Sequence, residues 1–327
     1  MSGAEAILVT GGAGYVGSHA CKSLAAAGYL PVTFDDLSRG HKEAVRWGPL
    51  ERGDIGDGAR LEAVMKQYNP LAVMHFAGLI EVGESVVNPA IFYETNVGGM
   101  LALLGAMGRT GVRDLVFSST CAVYGAAQSL PLREDHPLLP INPYGATKLM
   151  AERMMADFAL GQDLQFAALR YFNVAGADPD GETGEAHHPE THLVPNLILT
   201  GLGRRESFDL FGTDFATADG TAVRDFIHVV DLVDAHIRAL DYLREGGPSL
   251  ALNLGTGAGF TVRQVISAVE ALAGGPIKVK ECGRRPGDAE ELVADAQKAQ
   301  AVLDWHPAMS DLKAIVETAW RWHIAQG

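Results

Sequence analysis

The stretch AILVTGGAGYVGSHACKSLAAAG, residues 6–28, constrains this chain more than any other. An apolar run the length of a strand ends in glycines and passes directly into an alanine-rich helical pattern. A strand that turns at once into a helix makes a tight turn, which glycine tolerates. The spacing satisfies GxGxxG through Gly12, Gly14 and Gly17, and GxxGxxG through Gly11, Gly14 and Gly17. Glycines here let the backbone approach a pyrophosphate, whose charge the helix N-terminus favours. A tight turn needs glycine for its own sake, so the pattern gains weight from its context. The second apolar run ends in FDDLSRG, which places Asp35 eighteen residues past Gly17. An acidic residue at that distance accepts ribose hydroxyls and repels a 2′-phosphate. Arg39 nearby is the residue that would serve a 2′-phosphate, and Asp35 outweighs it. The expected cofactor is NAD.

The rest of the first half repeats the alternation. Residues 6–12, 30–36, 71–78, 114–120 and 166–173 are short apolar runs bounded by turn or polar residues, with helical stretches between most of them. They read as buried parallel strands, and the alternation predicts an α/β fold, a Rossmann-like doubly wound parallel sheet. After Asn173 comes VAGADPDGETGEAHHPETH, a polar loop far longer than an ordinary connection. A helix is expected near 193–203, a short strand at FDLFG, and a strand turning into a helix at VRDFIHVVDLVDAHIRALDYL. The expected domains are 1–173 plus about 225–255 for the dinucleotide, and about 174–224 plus 256–327 as a smaller α/β substrate domain.

Composition narrows the class. Net charge is −14 with no basic cluster, which argues against nucleic acid as the main partner. No uninterrupted apolar run reaches the roughly 18 residues of a membrane span, and the first strand begins at once, so no signal peptide is expected. Cys21, Cys121 and Cys282 are far apart and odd in number, which fits reduced thiols in a cytosolic protein.

The chemistry is expected at NPYGATKLMAE, residues 142–152. Of eight tyrosines only Tyr144 has a lysine, Lys148, four residues on. Residues four apart share a helical face, so phenol and ammonium point the same way. A free phenol has a pKa near 10 and is a poor base, and a neighbouring cation favours its phenolate. Upstream, Ser118, Ser119 and Thr120 end a strand, the edge where such sheets bind ligands.

With VTGGAGYVGSH, DDLSRGH, HFAGLIEVGES, FSSTCAVYG, NPYGATK, LRYFNVAGA, DGTAVRDFIHVVDL and RRPGD in place, the chain resembles the extended short-chain dehydrogenase/reductase family, and within it the UDP-glucose 4-epimerases, from residue 6 to about 322. The resemblance implies oxidation of C4 of a UDP-hexose, rotation of the 4-keto sugar, and return of hydride to the other face. Tyr144 is then the base, Thr120 holds or relays the hydroxyl proton, and Lys148 also holds the nicotinamide ribose. The cofactor contacts it implies are Gly11, Gly14, Tyr15, Val16, Gly17, Asp35, Asp54, Ile55, Phe76, Ala77, Gly78, Ile80, Asn96, Thr120, Tyr144, Lys148 and Phe172. The substrate contacts it implies are Thr120, Tyr144, Asn173, His192, Leu193, Asp209, Phe211, Arg224, Arg285, Asp288 and Leu292, with both arginines on the diphosphate. His192 stands where other members carry asparagine. A homodimer is implied, formed by the apolar segments 96–107 and 149–160. Leucine at 292, where tyrosine closes the sugar's C2 side in other members, implies activity on UDP-N-acetylhexosamines.

Other readings stand beside this one. A nucleotide-sugar 4,6-dehydratase needs an acidic pair where Cys121 and Ala122 stand. A UDP-pentose 4-epimerase uses the same catalytic set, and a dinucleotide-sensing regulator need not keep Tyr144, Lys148 and Thr120 together. His188 and His192 are four apart, but Pro189 argues against a helix between them and no cysteine is near, so no metal is expected.

Overall fold

The computed structural model describes residues 4–285 and 288–326; Pro286 and Gly287 of the RRPGD motif lie outside the described residues. The chain opens with β1 (Ala6–Thr10), α1 (Tyr15–Ala26), β2 (Leu30–Asp35), β3 (Leu50–Arg52), α2 (Gly58–Tyr68) and β4 (Ala72–His75). Then come α3 (Val82–Val87), α4 (Pro89–Phe92), a π-helical turn over Tyr93–Gly98, α5 (Gly99–Thr110), β5 (Asp114–Thr120), α6 (Pro143–Gln162) and β6 (Gln165–Tyr171). The second half holds β7 (Asn173–Ala175), α7 (Leu193–Gly201), β8 (Phe208–Phe211), β9 (Val223–His228), α8 (Val229–Arg244) and β10 (Leu250–Leu254). It closes with β11 (Gly259–Thr261), α9 (Val262–Ala273), β12 (Val279–Cys282), β13 (Glu291–Leu292), α10 (Gln297–Leu303) and α11 (Leu312–Ala325).

The expected sheet is present, with seven strands in the order β10-β6-β5-β4-β1-β2-β3. β1 pairs in parallel with β2 on one side and β4 on the other, so the winding reverses there. That reversal opens a crevice beyond the strands' C-terminal ends, where a ligand is accommodated without displacing the core. Ile7, Leu8 and Val9 are fully buried, as an apolar run covered on both faces must be. Strand ends are shorter than the apolar runs suggested: β4 stops at His75, and Phe76, Ala77 and Gly78 form the turn beyond it.

Two compact units divide the chain, one of residues 1–125, 137–170 and 233–252, the other of 126–136, 171–232 and 253–327. The expected boundary at 225 placed β9 with the nucleotide domain. Pairing moves it, because β9 bonds to β11, β13 and β7 in a separate four-stranded sheet. Residues 126–136 join the second unit through main-chain bonds, with Leu132 N donating to Val293 O and Asp295 N donating to Leu132 O. Leu197, Ile198, Phe226, Val265, Val269 and Ile315 form that unit's core.

The run Pro89–Thr110 is long and apolar enough to cross a membrane by length and composition alone. Here it includes α5, which packs between α2 and α6 and buries Met100, Leu103, Leu104 and Met107. Its other side carries Ile91, Tyr93 and Leu101 exposed, and α6 exposes Met150 and Leu160.

Candidate active site

The site in the first unit is built from the glycine turn, the ends of β2, β4 and β5, the π-helical turn and α6. At the glycine turn, Gly11 has φ of 74°, a left-handed conformation that favours glycine. A Cβ there would lie 2.6 Å from Ala77 N, so the turn and the end of β4 touch backbone to backbone. A Cβ on Gly17 would meet Gly11 O at 2.1 Å, which welds α1 to the turn. Gly14 differs: its nearest neighbour would be Gly11 O at 3.3 Å, and as N-cap of α1 it offers no side-chain cap. A helix start of that kind attracts an anion.

Asp35 ends β2, 8% exposed. Its Oδ2 accepts from Ala13 N at 3.0 Å and its Oδ1 from Leu37 N at 2.9 Å. Burial raises its pKa, opposed by those two amide bonds. The carboxylate is thus tied to the glycine turn. Asp54 is exposed and caps its own turn through Gly56 N, while Ile55 is buried against Gly99. Asn96 lies in the π-helical turn, a distortion frequent at functional positions. Its Oδ1 accepts from Leu79 N at 2.8 Å and its Nδ2 donates to Leu79 O and to Thr147 Oγ1, each at 3.0 Å. The amide group thus braces the 77–80 turn and α6 together. Phe76, Ala77, Gly78 and Ile80 are half-buried along that turn, and the Phe76 ring lies 4.9 Å from His236.

α6 carries the pair. Asn142 caps it, its side chain accepting from Gly145 N, with Pro143 in the first turn as expected. A Cβ on Gly145 would meet Ala122 O at 2.5 Å, so the helix starts hard against the turn that follows β5. Tyr144 is half-buried, and Lys148, one turn on, is 3% exposed. Lys148 Nζ donates to Ser118 O at 2.9 Å and lies 4.9 Å from the centre of the Phe117 ring. Burial lowers its pKa to about 8, with the charge of Glu152 opposing. Thr120, at the end of β5, is buried, and its Oγ1 accepts from Ala122 N at 3.2 Å.

The same stripe of α6 continues one turn further to Glu152, which sequence reasoning passed over. Glu152 Oε1 accepts from Ser119 Oγ at 2.5 Å and from Arg170 Nε at 3.0 Å, while Oε2 accepts from Arg170 NH2 at 2.6 Å. Arg170 NH1 donates to Tyr124 Oη at 3.0 Å. The 4-residue spacing Tyr144–Lys148–Glu152 was the available signal.

The second unit holds the remaining expected residues. Phe172 is buried between β6 and β7, and Asn173 begins β7. Arg285 bonds Asp288 through Nε at 2.9 Å and lies over the Phe211 ring at 4.9 Å, so three of the expected substrate contacts meet. Asp209 shares β8 with Phe211. Leu292 on β13 is in register with Arg224 on β9. Leu193 begins α7, with His192 as its N-cap.

His192 also belongs to a cluster that the reading of His188 missed. Its Nδ1 lies 2.8 Å from Glu185 Oε1 and 3.0 Å from Glu190 Oε1, and His187 Nδ1 lies 2.9 Å from Glu185 Oε1. Burial would lower the His192 pKa, but the two carboxylates carry it well above the ordinary imidazole value. His187, not the exposed His188, is the second histidine of the group.

The geometry fits a dinucleotide: a helix start whose glycine N-cap offers no side-chain cap, and an acidic residue ending the next strand and tied to the glycine turn. Comparison with known proteins agrees. Residues 7–255 match the NAD dependent epimerase/dehydratase family. The chain is 54% identical over 319 residues to a UDP-glucose 4-epimerase of Rhizobium leguminosarum bv. trifolii, covering 98% of this chain and 97% of that one. It is 55% identical over 317 residues to a UDP-glucose 4-epimerase of Rhizobium meliloti (strain 1021), covering 97% and 96%. The crystal structure of UDP-glucose 4-epimerase from Brucella ovis in complex with NAD superposes with a TM-score of 0.95 at 48% identity, covering 97% of this chain and 98% of that one.

Proposed function

The chain belongs to the NAD dependent epimerase/dehydratase family, and from that premise we propose that it is an isomerase interconverting UDP-glucose and UDP-galactose through a transient 4-keto sugar. The observation that carries the reading is Lys148, a buried ammonium anchored on a strand carbonyl one helical turn from Tyr144. NAD, when bound, would supply a reversible hydride acceptor for C4, so that no net redox change results. Gly11, Gly14, Tyr15, Val16 and Gly17 hold its pyrophosphate, Asp35 the adenosine ribose, and Asp54 and Ile55 the adenine. Phe76, Ala77, Gly78, Ile80, Asn96 and Phe172 complete its contacts.

Lys148 stabilises the phenolate of Tyr144, which takes the proton of the C4 hydroxyl and later returns it to the other epimer. Thr120 presents its hydroxyl to that same oxygen. Arg224 and Arg285 bind the diphosphate, a geometry guanidinium matches bidentately. Asn173, Leu193, Asp209, Phe211 and Asp288 take the rest of UDP. A tight hold on UDP with a loose hold on the sugar lets the ketone rotate.

Further features follow from the same reading. The protein works in the cytosol as a homodimer, the second copy covering the apolar side of α5 and α6 where Leu101 and Met150 are exposed. A light-scattering mass near that of one chain at micromolar concentration contradicts the dimer. A second substrate class, the UDP-N-acetylhexosamines, is favoured by Leu292, which lies in register with the diphosphate arginine Arg224. Incubation of purified protein with each UDP-sugar, without added NAD, followed by product identification, tests the whole reading. Conversion of UDP-galactose to UDP-glucose supports it; absence of any 4-epimer with every sugar sinks it.

A further inference from the structure

The strongest unassigned chemistry lies in the loop before α7. Glu185, His187, Glu190 and His192 each offer one ligand atom, and the four atoms lie within 4.8 Å of one another. Two imidazole nitrogens and two carboxylate oxygens are a donor set for a small borderline cation rather than for calcium or magnesium, which prefer all-oxygen shells. We propose that these four residues form a binding site for a divalent transition-metal cation of the zinc class.

Geometry supports the assignment. Three of the nitrogen–oxygen separations are 2.8–3.0 Å, and all four ligand atoms lie within 4.8 Å of one another. Ligands about 2.0–2.1 Å from a tetrahedral ion stand roughly 3.4 Å apart, so these three contacts open by a few tenths of an ångström to admit one, while the wider pairs of the cluster draw in. The carboxylates are also held in place. Glu185 has a side chain 5% exposed, and its carbonyl oxygen accepts from Trp322 Nε1 at 2.9 Å. Glu190 Oε1 accepts from the amides of Thr191 and His192, both at 2.8 Å, so its position is set by the main chain. Such outer contacts orient metal ligands and are part of a working site. Among the described residues, no lysine or arginine pairs with either carboxylate. A bound cation would neutralise both acids and pin the loop end where His192 caps α7.

The test uses the full chain without an affinity tag. The protein is equilibrated with zinc, desalted and assayed for metal, in parallel with the double variant Glu185→Gln/His187→Gln and the single variant His187→Gln. The wild type is expected to retain about one zinc per chain and to lose it to chelator, with the melting temperature falling by roughly 5 °C. Cobalt substitution is expected to give the visible bands of a low-coordinate nitrogen–oxygen site. His187→Gln alone, on a half-buried side chain whose loss leaves the fold intact, should weaken retention at least 10-fold, since removing a ligand costs more than the 10–100-fold of an outer-shell change. A wild type that keeps no zinc overturns the proposal, and so does zinc kept equally by the variants. The readout is metal content, so its failure is distinct from any failure of the epimerase reading.

Discussion

Two buried cations sit one beside the other along α6 and teach different things. Arg170 is matched: Glu152 receives it through two hydrogen bonds, Tyr124 through a third, and its pKa is raised, burial notwithstanding. Lys148 has no carboxylate bonded to it among the described residues: it holds the Ser118 carbonyl and lies over the Phe117 ring, and burial lowers its pKa to about 8. A buried charge that is fully paired has nothing left to give a ligand. One held at a cost is available to a phenolate and to a ribose hydroxyl. Arg170 thus knits β6 to α6, and the proposed chemistry draws on Lys148.

Substitutions break the comparison in opposite ways. Tyr144→Phe removes only the proton acceptor, so it should fold, keep NAD and lose turnover by about 10³-fold or more. Near-normal turnover in that variant removes Tyr144 from the base role. Glu152→Leu strands Arg170 without its partner and should destabilise by about 3–5 kcal/mol in urea denaturation. A change below about 1 kcal/mol would mean Arg170 finds water, and the matched half of the contrast fails. For Lys148 the sign follows from linkage. Its folded pKa of about 8 is below the ordinary lysine value, so between those two pH values the unfolded chain binds more protons and stability rises with pH. Relative to Lys148→Met, the cofactor-free wild type should therefore gain about 3 kcal/mol as pH climbs from below 8 to about 10.5. A pH-independent difference refutes the buried, costly ammonium. The smallest effect is expected at Leu292→Tyr, about 10-fold or somewhat more against UDP-N-acetylglucosamine, with the plain hexoses nearly untouched. Loss on all substrates alike would place Leu292 in the core instead.

The first half was legible because its signals are local. β1, β2 and β5 each carry a short apolar run, and the glycine turn and Tyr144–Lys148 are read from spacing together with their immediate neighbours. The second unit is assembled from three separate stretches, so its boundary depends on pairing partners far apart in sequence. Nothing local in VRDFIH says that it bonds to β11, β13 and β7. Residues 126–136 were illegible for the same reason, since Leu132 is tied to Val293 and Asp295. Glu152 was readable from the helical stripe of α6 and was passed over because a glutamate on a helix is ordinarily solvated. In the loop before α7 no period tells which side chains converge, so His188 drew attention and His187, Glu185 and Glu190 did not.

In the proposed mechanism Lys148 and Tyr144 serve a hydride that leaves C4 and returns to it without exchanging with water. The most direct measurement follows UDP-galactose deuterated at C4 through turnover in ordinary water, with the product analysed by mass spectrometry. The expected product is UDP-glucose that keeps the label at C4. Loss of the label to solvent would contradict it, because the hydrogen would then have left as a proton rather than as a stored hydride.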